Sequence, residues 1–321
     1  MKAAVLDAYG DSGRLVVREV PDPGPPGPGQ VVVRARATSV NPLDWKLRKG
    51  SYRFLMPAKF PLVLGVDVAG EVDAVGPEVT RFQPGDPVFG GVDVVKHGGA
   101  YAELVLVREA ALAAMPGVLS FEEAAALPTA GQTALQALRD KGELVTGERV
   151  LVNGAAGGVG HLAVQIARAL GARVTGVAGG RNLEFVRGLG AHEAIDYEAE
   201  DFISRDETWD VLFDAVAASN YRDCEAVLSE KGGIYVTTGF YPRLPIEMTI
   251  TALGGLFGQG RRARPVMVKH RAEDLVVLER LANQGRLRPE IQEVFPLERI
   301  AQAHDLSETG HVRGKLAVRI G

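Results

Sequence analysis

Cysteine is almost absent from this 321-residue chain: Cys224 is the only one. A single thiol closes no internal disulfide and builds no cysteine-rich metal site. The six histidines, at 97, 161, 192, 270, 304 and 311, fall at no metal-ligand spacing. No stretch approaches the run of about 20 apolar residues that crosses a bilayer. The opening segment MKAAVLDAYG lacks the apolar core of a signal peptide, so a cytoplasmic location is expected. Nor is there a surplus of one charge. The net charge is −4, with both signs mixed along the chain, which points to neither nucleic acid nor a membrane surface as partner. The basic run GQGRRARP (258–265) is short and has no interleaved aromatics, and it reads as a solvated loop between domains.

What is present is ordinary globular material, 46% hydrophobic and 24% charged, long enough for one large domain or two moderate ones. The first third is rich in valine, glycine and proline. VVVRARATSV (31–40) and VLGVDVAGEVDAVG (63–76) have the valine content and alternation of strands, and PDPGPPGPGQ (21–30) is a breaker-rich turn. A mostly antiparallel β domain is expected up to about residue 123. Ser120 with Glu123 three residues on forms a capping box, and alanine and leucine then dominate as in buried helices. After Gly147 strands alternate with helices: RVLVNGA, HLAVQIARALG, ARVTGVAG, NLEFVRGLG, EAIDY, WDVLFDAVA and GGIYVTTGF. That alternation implies parallel βαβ units. From about Pro265 the chain reads as a strand-like PVMVKH, a helix EDLVVLERLANQG and a closing strand KLAVRIG.

The strand-to-helix turn LVNGAAGGVG (151–160) carries the first chemistry. A helix N-terminus offers free N–H groups and the positive end of a dipole, and small residues let the backbone approach a pyrophosphate. The dinucleotide fingerprint is G-x-G-x-x-G. Here the aligned six are Ala155, Ala156, Gly157, Gly158, Val159 and Gly160, with alanine at the first position. The second strand ends in Ala178, Gly179 and Gly180, followed by Arg181, with no carboxylate for a ribose 2′-hydroxyl. A guanidinium suits a 2′-phosphate, so NADPH is expected in preference to NADH.

The motifs GVDVAGEVDAVGPEVTRFQPGDPVFG (65–90), GGAYAE (98–103), NGAAGGVG (153–160), LGAHEAIDY (189–197) and SVNPLDWKLRKG (39–50) give the chain a resemblance along its whole length. It resembles the medium-chain dehydrogenase/reductase superfamily, in its zinc-free quinone oxidoreductase branch. The resemblance implies an α/β fold. A GroES-like β-rich substrate domain is expected over 1–123 and 265–321. A Rossmann cofactor domain with a doubly wound parallel sheet is expected over 124–264, with the site in the cleft between the two. It also implies a homodimer.

In the zinc alcohol dehydrogenases of this superfamily a Cys, a His followed by Glu, and a second Cys hold the catalytic metal. The matching positions here are Asn41, Val66 (followed by Asp67) and Thr129, none a good zinc ligand, and the four-cysteine structural lobe is missing. Leu43 stands where a serine or threonine would relay protons. The resemblance therefore implies hydride transfer from a nicotinamide to an acceptor needing little Lewis-acid help. Quinones and α,β-unsaturated carbonyls fit that description.

Site candidates follow. Asn41 is the candidate to bond an acceptor oxygen, against a plainer reading as a turn asparagine before Pro42. Tyr52 is the candidate to bond a quinone oxygen or donate a proton, against an amphipathic tyrosine at a domain edge. Asp44 and Asp67 read as structural acids. Lys46, Arg48 and Lys49 read as a solvated charge run. By resemblance, Thr129 and Thr133 lie near the nicotinamide, Tyr197 joins Arg181 in a 2′-phosphate clamp, and Lys315 returns to the cofactor and holds phosphate. Asp214, Ala215 and Val216, with Gly239 and Phe240, end later strands, where this fold forms its ligand crevice. Two alternatives to a quinone reductase stay open: an alkenal or enone reductase with little quinone activity, and a non-catalytic NADPH-binding sensor or scaffold.

Overall fold

The computed structural model describes residues 1–54, 56–239, 241–256 and 260–321. Along the chain come β1 (Lys2–Leu6), β2 (Leu15–Glu19) and β3 (Gln30–Val40), α1 (Pro42–Arg48), β4 (Leu62–Val63), β5 (Asp67–Val75) and β6 (Pro87–Gly91). Then follow α2 (Val94–His97), β7 (Leu104–Arg108), β8 (Leu112–Ala114), α3 (Phe121–Ala125) and α4 (Pro128–Leu135). The alternating region has β9 (Arg149–Asn153), α5 (Gly160–Ala169), β10 (Arg173–Ala178), α6 (Leu183–Gly188), β11 (Glu193–Asp196) and β12 (Val211–Asp214). It continues with α7 (Tyr221–Cys224), β13 (Ile234–Thr237), α8 (Leu244–Leu256) and β14 (Arg262–Pro265). The chain closes with α9 (Ala272–Asn283), β15 (Ile291–Pro296), α10 (Ile300–Glu308) and β16 (Lys315–Arg319).

These elements form two compact units, Met1–Gln132 with His270–Gly321, and Thr133–Lys269. The division lies inside α4, after Gln132, where 123 was expected. The capping box at Ser120 is formed, with Ser120 N donating to Glu123 Oε2 at 2.9 Å and Glu123 N to Ser120 Oγ at 3.2 Å. The helix it starts lies against β3, β5 and β16 and so belongs to the β-rich unit. Each unit fastens its side of the division with a glutamine. Gln132 Oε1 accepts from Arg271 N at 2.8 Å in the first unit. In the second, Gln136 Nε2 donates to Lys269 O at 2.7 Å and its Oε1 accepts from Lys269 N at 3.0 Å.

In the β-rich unit the main sheet runs β15-β16-β3-β5-β6-β8, with β7 also on β3, and a small antiparallel sheet runs β2-β1-β4. All pairs of the main sheet are antiparallel except β15 with β16. Alternate valines of β3, β5 and β7 enter one apolar core with Leu6, Leu64, Tyr101 and Leu316. The expected strand over 63–76 is broken after Val63. Gly65 sits at φ +101, and a Cβ there would lie 2.6 Å from the Tyr101 ring, so the chain turns between β4 and β5.

The second unit is one six-stranded parallel sheet in the order β11-β10-β9-β12-β13-β14. Its first strand along the chain, β9, is central, and the chain winds outward first to one side and then to the other. This is the doubly wound order, and its switch point lies between β9 and β12. Two expectations are corrected here. The basic segment read as a solvated loop supplies β14: Ala263 is buried, and Arg262 and Arg264 pair with Glu143 at 3.0 and 2.6 Å. PVMVKH is not a strand beyond Pro265.

A third correction concerns Arg48, placed on a solvated run. It is 1% exposed at the end of α1, and its guanidinium pairs with Glu308 of α10. Next to it the Tyr101 hydroxyl lies 3.0 Å from His304 Nε2. Burial, helped by the Arg48 charge, pushes His304 down to about 3. In an unfolded chain the imidazole titrates near pH ~6.5. The stability tied to neutral His304 is thus fully present above that value and drains away as pH falls toward the folded pKa. Between about pH 7 and pH 4, the melting temperature of the wild type is expected to fall more steeply than that of His304→Gln. Equal slopes in thermal melts of the two proteins would contradict this assignment.

Candidate functional site

In the parallel unit the candidate site is built by the turn after β9. A Cβ on Gly160 would lie 2.0 Å from Gly154 O, so α5 can begin only by backbone touching backbone. Gly157 N donates to Gly154 O at 3.0 Å, and Gly154 and Ala155 both donate to Val177 O of β10, at 3.1 and 2.9 Å. The turn is therefore pinned to two strands before any ligand arrives. Ala156 and Gly160 are buried, and Gly157, Gly158 and Val159 are half-buried.

The loop after β12 comes to the same place. Val216 is exposed and lies over Gly154, where a Cβ would come within 2.4 Å of its Cγ1. Ala217, at φ +55, lies against Gly239 at the end of β13. Ala215 N donates to Asn153 O at 3.1 Å. Asp214 itself is fully buried. Its carboxylate accepts from Ser219 N at 2.8 Å, from Asn153 Nδ2 at 3.2 Å and from Val216 N at 3.3 Å, with the Tyr235 hydroxyl 3.1 Å away. The expectation that Asp214 meets the cofactor is thus corrected. Its acceptors are spent on holding the loop that carries Ala215 and Val216. Beside Gly239 opens a cleft of about 400 Å³ lined by Asn220, Arg222, Tyr241, Arg243 and Glu247. Phe240 lies outside the described residues. Thr133 is buried at the start of this unit.

At the end of β10 the exposed Arg181 makes no hydrogen bond or ion pair among the described residues. Tyr197, 56% exposed, brings its hydroxyl to 3.3 Å from where a Gly179 Cβ would be. The structure therefore sets Arg181 and Tyr197 around one glycine pair. It also adds what the end of β10 does not show. Parallel pairing of Ala178 with Asp196 brings the Asp196 carboxylate to 2.5 Å from a Cβ on Gly180, and Glu198 Oε1 to 3.2 Å from one on Gly179. A carboxylate is present after all, supplied by the neighbouring strand, and its Oδ1 accepts from Glu198 N at 3.0 Å.

In the β-rich unit the polar candidates gather on Asp67, which is wholly buried at the start of β5. Its Oδ2 accepts from Ser39 Oγ at 2.7 Å and Asn41 Nδ2 at 2.8 Å, and its Oδ1 accepts from Thr129 N at 2.8 Å. Lys315, on β16 and 3% exposed, donates to Asn41 Oδ1 at 2.7 Å and Val40 O at 3.2 Å, with its Nζ 3.9 Å from Asp67 Oδ2. Burial holds the Lys315 amine below its usual range against the pull of Asp67 and Asp44. Asp44, also fully buried, accepts from Asn41 N at 2.8 Å, and burial lifts its carboxyl to about 7.

One expectation and one plainer alternative change accordingly. Lys315 does not reach for phosphate, because its amine is enclosed between β3 and the Asn41 amide. Asn41 is no turn residue: it caps α1, with Pro42 at the first helical position, and it is 4% exposed. Tyr52 packs half-buried against the apolar core, and its hydroxyl makes no hydrogen bond to Asn41 among the described residues. Nor do the described residues place three or more His, Cys, Asp or Glu side chains to hold a metal ion. No described helix is long and apolar enough to cross a membrane.

Comparison with known proteins agrees with both units. The family described as "Alcohol dehydrogenase GroES-like domain" matches residues 27–117, and that described as "Zinc-binding dehydrogenase" matches residues 189–318. The chain is 37% identical to the chloroplast envelope quinone oxidoreductase homolog of Arabidopsis thaliana, over 99% of this chain and 98% of that one. It is 32% identical to the NADPH-dependent alkenal/one oxidoreductase, chloroplastic, of the same plant, over 99% of this chain and 79% of that one. Among solved structures, the quinone oxidoreductase from Coxiella burnetii superposes with a TM-score of 0.87 at 34% identity, covering 100% of this chain and 99% of that one.

Two glycine substitutions separate the roles within the turn. A Cβ on Gly157 meets Gly154 O at 3.4 Å, an ordinary contact, whereas on Gly160 the clash is with backbone. Gly160→Ala is expected to cost about 1–3 kcal/mol of stability and to lower the melting temperature. Gly157→Ala is expected to melt as the wild type does but to bind nucleotide more weakly. Unchanged nucleotide titrations of Gly157→Ala would remove that residue from the binding surface.

Proposed function

Because the chain belongs to the medium-chain dehydrogenase/reductase superfamily, in its quinone oxidoreductase-like branch, we propose that it is a zinc-independent, NADPH-dependent reductase of quinones or α,β-unsaturated carbonyls. The observation that carries the reading is the glycine turn at the switch point of the doubly wound sheet, with Arg181 and Tyr197 at the next strand end. The turn and the N-terminus of α5 fit a pyrophosphate, and Arg181 with Tyr197 fits a 2′-phosphate. Val216, Ala215 and Gly239 border the same crevice, and Thr129 and Thr133, both on α4, are proposed to lie near the nicotinamide.

NADPH, when bound, supplies a hydride from C4 of its nicotinamide. The chain's part is to hold the cofactor and the acceptor in register and to offer hydrogen-bond donors to the acceptor oxygen as it gains charge. Asn41 and Tyr52 are the donors proposed for that oxygen. The reading includes a cytoplasmic homodimer acting on a small molecule, with no nucleic acid or membrane partner. A reductase of conjugated alkenals and enones is the second reading, favoured by the identity to the alkenal/one oxidoreductase.

Chelator-treated protein is expected to oxidise NADPH with a benzoquinone, a naphthoquinone, an alkenal or an enone, and not with a simple ketone. Binding of NADPH without turnover on any acceptor would turn the reading to a sensor or scaffold. For the cofactor, Arg181→Ala is expected to raise KM for NADPH by about 10-fold or more while KM for NADH stays nearly constant, as loss of a charge-assisted phosphate contact requires. Asp196→Asn, which removes a negative charge beside Gly180, is expected to lower KM for NADPH. Equal changes for both cofactors in Arg181→Ala would contradict the phosphate clamp.

A further inference from the structure

Asn41 carries an amide whose two ends are nearly the same size and opposite in function. Turning it over exchanges an acceptor for a donor. Here the two ends face side chains that cannot make that exchange. Lys315 has only hydrogens to give, and it meets Oδ1 at 2.7 Å. Asp67, which already accepts from Ser39 Oγ and Thr129 N, meets Nδ2 at 2.8 Å. In the reversed amide the carbonyl would face the carboxylate and the NH2 group would face the ammonium, both repulsive and both out of water.

The cap of α1 works in the same sense: Asn41 N donates to Asp44 Oδ2 at 2.8 Å, and the Asp44 backbone N–H faces the acceptor end of the Asn41 side chain. Among the described residues, Lys315 is the charged donor at that end. One Nδ2 hydrogen serves Asp67. The other has only Ser39 Oγ, at 3.5 Å, a distance at which little hydrogen bonding remains. That second hydrogen is the free donor of the cluster.

We propose that Lys315 is a positioning residue of the reductase: together with Asp67 it locks the Asn41 amide so that the spare Nδ2 hydrogen is presented to the acceptor oxygen. The proposal rests on the reductase reading for its last clause and on this chain's own contacts for the rest. Lys315 does not touch the acceptor, and it acts only through Asn41.

The test uses Lys315→Met, which keeps the length of the side chain without its donor, and Lys315→Arg, which keeps a donor at its end. Because removing one partner strands the Asp67 charge, the double variant Lys315→Met/Asp67→Asn, compared with Asp67→Asn alone, removes the amine without leaving the Asp67 charge unpaired. Two readouts are taken on full-length protein. The first is steady-state reduction of a naphthoquinone and an enone, per site counted by NADPH titration. Lys315→Met and the double variant are expected to lose about 10- to 100-fold in kcat, as misplacement of a reacting group costs, with KM for NADPH unchanged and Lys315→Arg recovering part of the loss. The second is NMR of the 15N-labelled Asn41 side chain: its NH2 signals are expected to be protected from solvent exchange in the wild type and to lose that protection in Lys315→Met and the double variant.

A purely structural lysine would lower the yield of folded sites but leave kcat per site and Asn41 protection in the folded Lys315→Met protein as in the wild type, and in the double variant as in Asp67→Asn alone; that result overturns the proposal. Absence of turnover in the wild type would overturn the reductase reading. In that case the NMR comparison still decides whether Lys315 orients Asn41.

Discussion

One buried carboxylate gathers the polar part of the β-rich unit. Asp67 receives Ser39 from β3, the cap of α1 through Asn41, and the backbone of Thr129 from α4, while Lys315 of β16 lies beside it. Ions taken out of water cost several kcal/mol each, and attraction offsets that cost only where hydrogen bonds saturate the groups. Here each Asp67 oxygen has a donor, and Lys315 has two acceptors in Val40 O and Asn41 Oδ1. An apolar cluster of the same volume would hold the strands together equally well. What the charged one adds is direction, because donors and acceptors cannot trade places.

The parallel unit depends on contact of another kind. Its turn works because glycine permits α5 to start against the carbonyl of Gly154, and because Asp214 ties the following loop down over it. Side chains are nearly absent from this surface, which leaves backbone amides to meet a ligand. The selective groups lie at its margin, where Tyr197, Glu198 and Asp196 approach Gly179 and Gly180, and Arg181 follows directly in the chain. Cofactor choice is therefore a balance of local charge and not the property of a single residue.

The sequence reveals the alternation of strands and helices, the capping box at Ser120 and the glycine turn, because each depends on neighbours within a few residues. The start of α1 was also open to reading. Asn41 followed by Pro42, with Asp44 at the third helical position, is a helix-start signature. Other features were not legible in this way. The Asp67–Lys315 pairing joins residues far apart in the chain, and Lys315 sits in an apolar strand whose pattern gives no sign of a partner. Asp196 reaches Gly180 only through the parallel register of β10 and β11. The last strand of the parallel sheet, β14, is an arginine-rich segment whose Arg262 and Arg264 pair with Glu143, a partner that composition cannot point out.

The most direct measurement is single-turnover reduction of an enone and a naphthoquinone by NADPH carrying deuterium at the transferred C4 position. The account predicts that the cofactor is oxidised, that deuterium slows the step, and that with the enone the label appears on the carbon β to the carbonyl. Tight binding of the cofactor with no oxidation by either acceptor, or turnover that leaves the label on the nicotinamide, would contradict it.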